Sequence, residues 1–215
     1  MSAAVVPVKH LAAGKSRLGR ELPRDALAAL SLAMLEDVLA ALAATPSLDR
    51  TAVVTPDRDV AAAAEAAGAR ALLRTDPGLN PALDAAAREV DLAPDEPWLV
   101  VLGDVAGALP GDLEALFEAL RELGGRGAVL APSGDGGTAA LLRAPSDAIA
   151  SRFGADSAVA HRDAASAAGV PYRELPLPSL AVDLDRAEDV ACFLAQPGGG
   201  AHTRALLERL GWPPR

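Results

Sequence analysis

Lys9 and Lys15 are the only lysines in the chain, and both lie in one short stretch near its start, with Gly14, Ser16 and Arg17 beside the second. A lysine ammonium is a compact charge on a flexible stem, suited to phosphate oxygens, and arginine supplies the side-chain positive charge everywhere else. The cluster reads either as a polyphosphate site or as a solvated basic loop. Gly14, Lys15 and Ser16 invite comparison with a phosphate-binding P-loop, but that motif needs a glycine five positions before its second, where this chain has Lys9. No dinucleotide fingerprint follows the first apolar run, which weighs against nicotinamide and flavin chemistry. A phosphate site here would work largely through side chains. Among the acidic residues, Asp104 stands just past the apolar run 98–102, and Asp183 follows the apolar pair Ala181 and Val182. Both can project from strand ends towards a common point. Each also has a plainer reading as a turn or helix-capping aspartate, and Asp185 could cap a helix beginning near Arg186.

These residues need a scaffold, and hydrophobic periodicity supplies one. Residues 3–8 read as a strand, and 23–43 as a helix with Leu27, Leu30, Met34, Leu35, Val38 and Leu42 on one face. Strand 50–54, helix 60–67, strand 70–73 and helix 80–90 follow. The continuous apolar run 98–102 is the pattern of a strand buried on both faces. Helix 112–123, strand 128–131, a turn over 133–137, strand 138–142, helix 156–168 and an extended segment 172–175 complete the alternation. It predicts an α/β fold with a mostly parallel central sheet covered on both sides, and ligands at the carboxyl ends of the strands. At 215 residues the chain is expected to form a single domain over 1–215, with the glycine-rich 196–200 leading to a loosely docked tail over 196–215.

Aromatics are only 3% of the chain, so the core must be built from leucine, valine and alanine. The net charge of -9 argues against a nucleic-acid partner, though a local basic pocket can still receive a small anion. Cys192 is the only cysteine, expected as a small buried hydrophobe on a helix, so no thiolate cluster for zinc is available. No signal peptide is evident, and no segment reaches the roughly 18 apolar residues that span a bilayer, so no membrane partner and a cytoplasmic location are expected.

Five blocks in order carry a family resemblance. Pro7, Val8 and Lys9 precede Gly14, Lys15, Ser16, Arg17 and Leu18. Gly78, Leu79 and Asn80 stand with Ala82 and Leu83, and Asp135, Gly136, Gly137 and Thr138 with Ala140 and Leu141. Phe153 and Gly154 are followed by Ser157, His161, Arg162 and Ala164, and Asp183, Leu184 and Asp185 by Glu188 and Asp189. The set resembles the 2-phospho-L-lactate and phosphoenolpyruvate guanylyltransferases that build the deazaflavin coenzyme F-420. The resemblance implies a three-layer nucleotidyltransferase sandwich of the GT-A kind. It also implies attack by an acceptor phosphate oxygen on the α-phosphorus of GTP with loss of pyrophosphate.

By the same resemblance Lys9, Lys15 and Arg17 neutralise the triphosphate, and Ser16 and Asn80 complete the nucleotide contacts. Asp104 and Asp183 hold magnesium, with Asp185 as a further or alternate ligand. Thr138, Gly154 and Ser157 receive the phosphoenolpyruvate, although Ser157 also reads as a simple helix-start residue and Asn80 as an N-cap. His161 and Arg162 either complement the acceptor pocket or face solvent. GTP and a three-carbon phosphoacid are the implied partners, with hand-off of the product to the next enzyme of the pathway. The family usually continues Asp-Leu-Pro after the aspartate of the fourth strand, whereas this chain has Val105, Ala106 and Gly107 after Asp104. That departure motivates a second reading, a non-catalytic homologue that binds nucleotide or a partner. The Asp183 and Asp185 pair motivates a third, a GT-A sugar-nucleotide transferase.

Overall fold

The computed structural model describes residues 1–11, 18–75 and 78–212. Lys15, Ser16 and Arg17 lie outside them. One seven-stranded sheet organises the molecule: β1 (Ala3–Pro7), β2 (Arg50–Thr55), β3 (Arg70–Leu73), β4 (Trp98–Val101), β5 (Gly127–Pro132), β6 (Thr138–Ala144) and β7 (Tyr172–Glu174), in the order β3-β2-β1-β4-β6-β5-β7. All adjacent pairs are parallel except those of β6, which runs antiparallel to both β4 and β5. The chain steps outward from β1 to β2 and β3, then returns to place β4 on the other side of β1. This is a topological switch point, where the carboxyl ends of neighbouring strands leave a crevice.

The reason these strands are central is visible in their composition. β1 and β4 bury residues on both faces, so successive side chains feed two separate cores. Ala4, Val6, Leu99 and Val101 meet the helices α1 (Arg24–Ala43), α2 (Arg58–Ala66) and α4 (Pro110–Glu122) on one side. Ala3, Val5, Trp98 and Val100 meet α3 (Leu79–Glu89) and α5 (Ser157–Ala168) on the other. The result is the expected three-layer arrangement.

Three local expectations are revised. α1 has a mean hydropathy of 1.9 over 18 residues, long and apolar enough to cross a bilayer by that measure alone. It is instead wedged between two cores: Leu35, Val38 and Leu42 face the sheet, while Leu27, Leu30 and Met34 face α6 (Ala187–Ala195) and α7 (Ala201–Arg209). The helix α7, expected to be loosely docked, is packed against the rest of the molecule. Leu206 and Leu207 are buried, and the buried carboxylate of Asp37 accepts the amide hydrogens of His202 (2.9 Å) and Thr203 (2.8 Å) at the start of α7. Cys192 is exposed, because the inward side of α6 is occupied by Val190 and Phe193.

The glycine-rich segment before α7 is a packing element. Gly199 has a φ of 65°, and a Cβ there would overlap the carbonyl oxygen of Gly107, in the loop that follows Asp104. Gly199→Ala should lower stability by about 2–3 kcal/mol, from backbone strain and overlap, and the melting temperature by about 4–12 °C. An unchanged thermal melt would count against this contact.

Candidate active site

A cavity of about 380 Å³ opens at the carboxyl ends of β1, β2, β3 and β4, over the switch point. Its size is that of an ordinary small-molecule site. Lys9 enters from the loop after β1, Asp104 from the turn after β4 and Asp185 from the segment before α6. Thr55, Arg74 and Leu79 line it from β2, the end of β3 and the first turn of α3. The two loops that carry Lys9 and Asp104 are forced close together: a Cβ on Gly103 would stand 3.0 Å from a Val8 methyl and 3.3 Å from the Pro7 carbonyl oxygen. A side chain there would push cation and carboxylate apart.

The loop after Asp104 departs from the family pattern, yet its backbone is held. Val105 and Ala106 are fully buried, in two different cores. Gly107 lies so close to Ser179 that a Cβ would meet its carbonyl oxygen at 2.9 Å. Asp104 is not a helix cap, since α4 begins at Pro110 with Leu109 before it. Asp185 does not cap α6 either; the cap is Arg186, and the Asp189 carboxylate closes the box by accepting the amide hydrogens of Arg186 (2.7 Å) and Asp185 (3.1 Å). The amide of Leu184 donates to the Asp104 carbonyl oxygen at 3.4 Å, and the amide of Gly134 donates to Ala181 at 2.8 Å. The 181–185 segment, with Asp183 in its middle, thus bridges the β4 loop and the turn before β6. Asp183 does not line the cavity, and among the described residues no group of three or more His, Cys, Asp or Glu side chains encloses a metal position. The donor set is one or two carboxylates in an open cavity, which is the pattern magnesium accepts when water and substrate phosphates complete its octahedron.

The loop bearing Lys9 has its own anchor, Asp57. One carboxylate oxygen caps α2 by accepting from Asp59 at 2.9 Å, while the other accepts from the Leu11 amide at 3.0 Å and faces His10 Nδ1 at 3.4 Å. Burial works to raise the pKa of this carboxyl, but the hydrogen bonds from Leu11, Asp59, His10 and Val60 outweigh it and hold the group below its usual range. An aspartate just before a helical run is a readable capping signal; its second duty, to the β1 loop, is not local in sequence.

Thr138, Gly154 and Ser157 stand on the neighbouring part of the same edge. Because β6 runs against β4, with Ala140 opposite Val101, its first residue emerges beside the end of β4. The Leu102 amide donates to Ala139 at 3.0 Å there. Thr138 and Ser157 are both buried, and the Ser157 hydroxyl donates to Thr138 Oγ1 at 3.0 Å. Asn80 is placed differently from the expectation. It lies within α3, one residue past the helix start, with Gly78 as the cap. Its amide is engaged by the main chain of Phe153, accepting from the nitrogen at 2.8 Å and donating to the oxygen at 3.1 Å. It joins the two halves of the edge rather than lining the cavity.

His161 and Arg162 separate cleanly. Arg162 turns outward and bonds Glu174 at 2.9 Å. His161 is fully buried, one turn along α5 from Ser157. Burial and the positive charge of nearby Arg143 push its pKa down to about 4, so the ring is neutral at ordinary pH. Arg143 is buried too, and its Nη1 donates to the Ile149 oxygen at 2.7 Å, steadying the segment that leads to Gly154.

Comparison with known proteins places this geometry in a family. The family model described as guanylyl transferase CofC like matches residues 2–213. The chain belongs to that family. A phosphoenolpyruvate guanylyltransferase from Sphaerobacter thermophilus is 39% identical over 188 residues, covering 87% of this chain and 89% of its own. One from Rhodococcus erythropolis is 37% identical over 226 residues, covering 98% and 97%. Among solved structures, a protein described as a nucleotide-diphospho-sugar transferase from Desulfovibrio desulfuricans G20 superposes with a TM-score of 0.77 at 20% identity, over 98% of this chain and 96% of that one. A nucleotidyl transferase from Methanothermobacter superposes at 0.63 with 19% identity, over 90% and 98%. These structures share the fold. For a guanylyl transferase of the CofC-like family, a cation and a carboxylate facing one cavity at the switch point are the expected elements of phosphate chemistry.

Proposed function

We propose that the protein transfers the guanylyl group of GTP to phosphoenolpyruvate, with release of pyrophosphate, as a cytoplasmic step in assembly of coenzyme F-420. The observation that carries this reading is that one cavity is lined by Lys9 from one side of the switch point and by Asp104 and Asp185 from the other. The names of the relatives at 35–39% identity support the acceptor. A phosphate oxygen of the acceptor attacks the α-phosphorus of GTP, a new P–O bond forms, and the bond to the departing pyrophosphate breaks. Such a reaction depends on positioning and charge neutralisation, with no covalent enzyme intermediate needed.

Lys9 meets the triphosphate and the charge that develops on the leaving group. Lys15, Ser16 and Arg17 are proposed to complete this contact from the adjoining loop. Magnesium, held by Asp104 and Asp185 with Asp183 beside them, would supply charge neutralisation and orientation of the phosphate oxygens. Thr138, Gly154 and Ser157 receive the acceptor on the β6 side. Asn80 serves the nucleotide indirectly, by tying α3 to the acceptor segment.

Incubating the purified protein with GTP, magnesium and either phosphoenolpyruvate or 2-phospho-L-lactate should release pyrophosphate, most rapidly with phosphoenolpyruvate. Absence of release with both acids would sink the proposal. The same assay checks the loop anchor. Asp57→Ala frees the Leu11 amide and should raise KM for GTP about tenfold, the worth of roughly one good hydrogen bond, while KM for the acceptor stays near that of the parent. An unchanged KM for GTP would show that Asp57 serves α2 alone.

A further inference from the structure

The hydroxyl of Thr138 is held in a chain of three buried polar groups, and the end at Arg152 sets the direction of its first link. Its fixed end is the backbone amide of Arg152, which can only donate and lies 2.9 Å from His161 Nε2. That nitrogen must therefore present its lone pair, and a neutral imidazole then carries its single proton on Nδ1. Nδ1 stands 3.1 Å from Thr138 Oγ1. The same oxygen accepts the Ser157 hydroxyl at 3.0 Å. An oxygen that accepts twice is left with its own O–H to give.

We propose that His161 is a positioning residue of the acceptor site, acting through Thr138: its Nδ1–H sets the threonine hydroxyl as an outward donor to an anionic oxygen of the bound phosphoacid. This rests on the reading that Thr138, Gly154 and Ser157 receive the acceptor. The surroundings are built to preserve the arrangement. His161, Thr138 and Ser157 are all buried, at 0%, 2% and 1% exposure, so bulk water has little access to the three groups. The His161 ring packs against the edge of Phe153, centroids 5.1 Å apart and planes at 72°, and Phe153 is itself held by Asn80. Arg152 and Phe153, the two residues before Gly154, are thus held by the same ring that orients Thr138. A donor aimed in advance binds an anion without the ordering that a free hydroxyl rotor requires.

The ring nitrogens can be imitated separately. In His161→Asn the side-chain amide offers a donor near the position of Nδ1; in His161→Gln an acceptor reaches the position of Nε2 and can still hold Arg152. His161→Gln and His161→Ala should raise KM for phosphoenolpyruvate about tenfold or more, with KM for GTP within about twofold of the parent, and His161→Asn should recover most of the loss. In a Thr138→Val background, His161→Gln should produce no further change. Equal increases in the two KM values, or a His161→Gln variant with the parent's acceptor KM, would overturn the proposal.

The unsubstituted protein offers a second readout that does not depend on how the variants fold. With three histidines in the chain, nitrogen-15 spectra of the ring should show His161 as the Nδ1–H tautomer between pH 6 and 8. An Nε2–H tautomer would refute the assigned direction. Pyrophosphate release by the unsubstituted enzyme tests the reaction itself; the tautomer and the ratio among variants test His161, so the two fail separately.

Discussion

Replacing Asp104 with asparagine should lower guanylyl transfer by about 10²–10³-fold, the range seen when one electrostatic stabiliser is removed from an active site. The substitution keeps the size of the side chain and removes only its charge. The backbone around it stays anchored, because Val105 and Ala106 are buried and the Asp104 carbonyl accepts from Leu184 through the main chain. The melting temperature should therefore change little while turnover collapses. A magnesium titration of pyrophosphate release should show half-saturation moved to higher concentration, since a cation bound by one or two carboxylates is sensitive to the loss of either. Glu118→Gln, an exposed change on α4, is the matched control. An Asp104→Asn enzyme as active as that control would refute the role assigned to the carboxylate. It would also reopen the non-catalytic reading that the altered loop first suggested.

Lys9→Met should lower kcat/KM for GTP by about 10²-fold, with both parameters affected. Methionine retains the length of the apolar stem and removes the ammonium, so the change isolates the charge. Lys9 follows β1 by two residues, and β1 is anchored on both faces with its loop tied to Asp57; the charge is delivered to the cavity by rigid structure. A group that meets both bound triphosphate and departing pyrophosphate contributes to binding and to the transition state, hence the effect on KM and kcat together. Arg88→Met on the exposed side of α3 removes the same formal charge away from the cavity and should be nearly silent. Equal losses in the two variants would mean that net charge, rather than position, governs turnover.

The order and type of the elements were legible because they are local properties. An apolar run flanked by turn residues reads as a buried strand wherever it pairs, and a 3.6-residue period reads as a helix whatever it packs on. The places of Lys9 and Asp104 followed from the same logic, since each is a few residues past a strand that must be central. Where the capping signals lay was less clear: Asp185, Asp104 and Asn80 were open to that reading, and the structure gives the caps to Arg186, Leu109 and Gly78 instead, with Asp189 closing the box at α6. The tail looked loose because glycines carry no side chain to pack, yet that absence is what lets Gly199 lie against Gly107.

By itself the sequence determined an α/β sandwich, a basic loop after the first strand, a carboxylate after the fourth, and the family through five ordered blocks. Only the tertiary structure decided that β6 runs backwards between β4 and β5 and so delivers Thr138 to the same edge as Asp104. It alone paired Asn80 with Phe153 across 73 residues, and His161 with Thr138 across 23. The physical reason is that strand order and side-chain partnership are set by which buried surfaces and polar groups can be satisfied together, a long-range condition that no local period encodes.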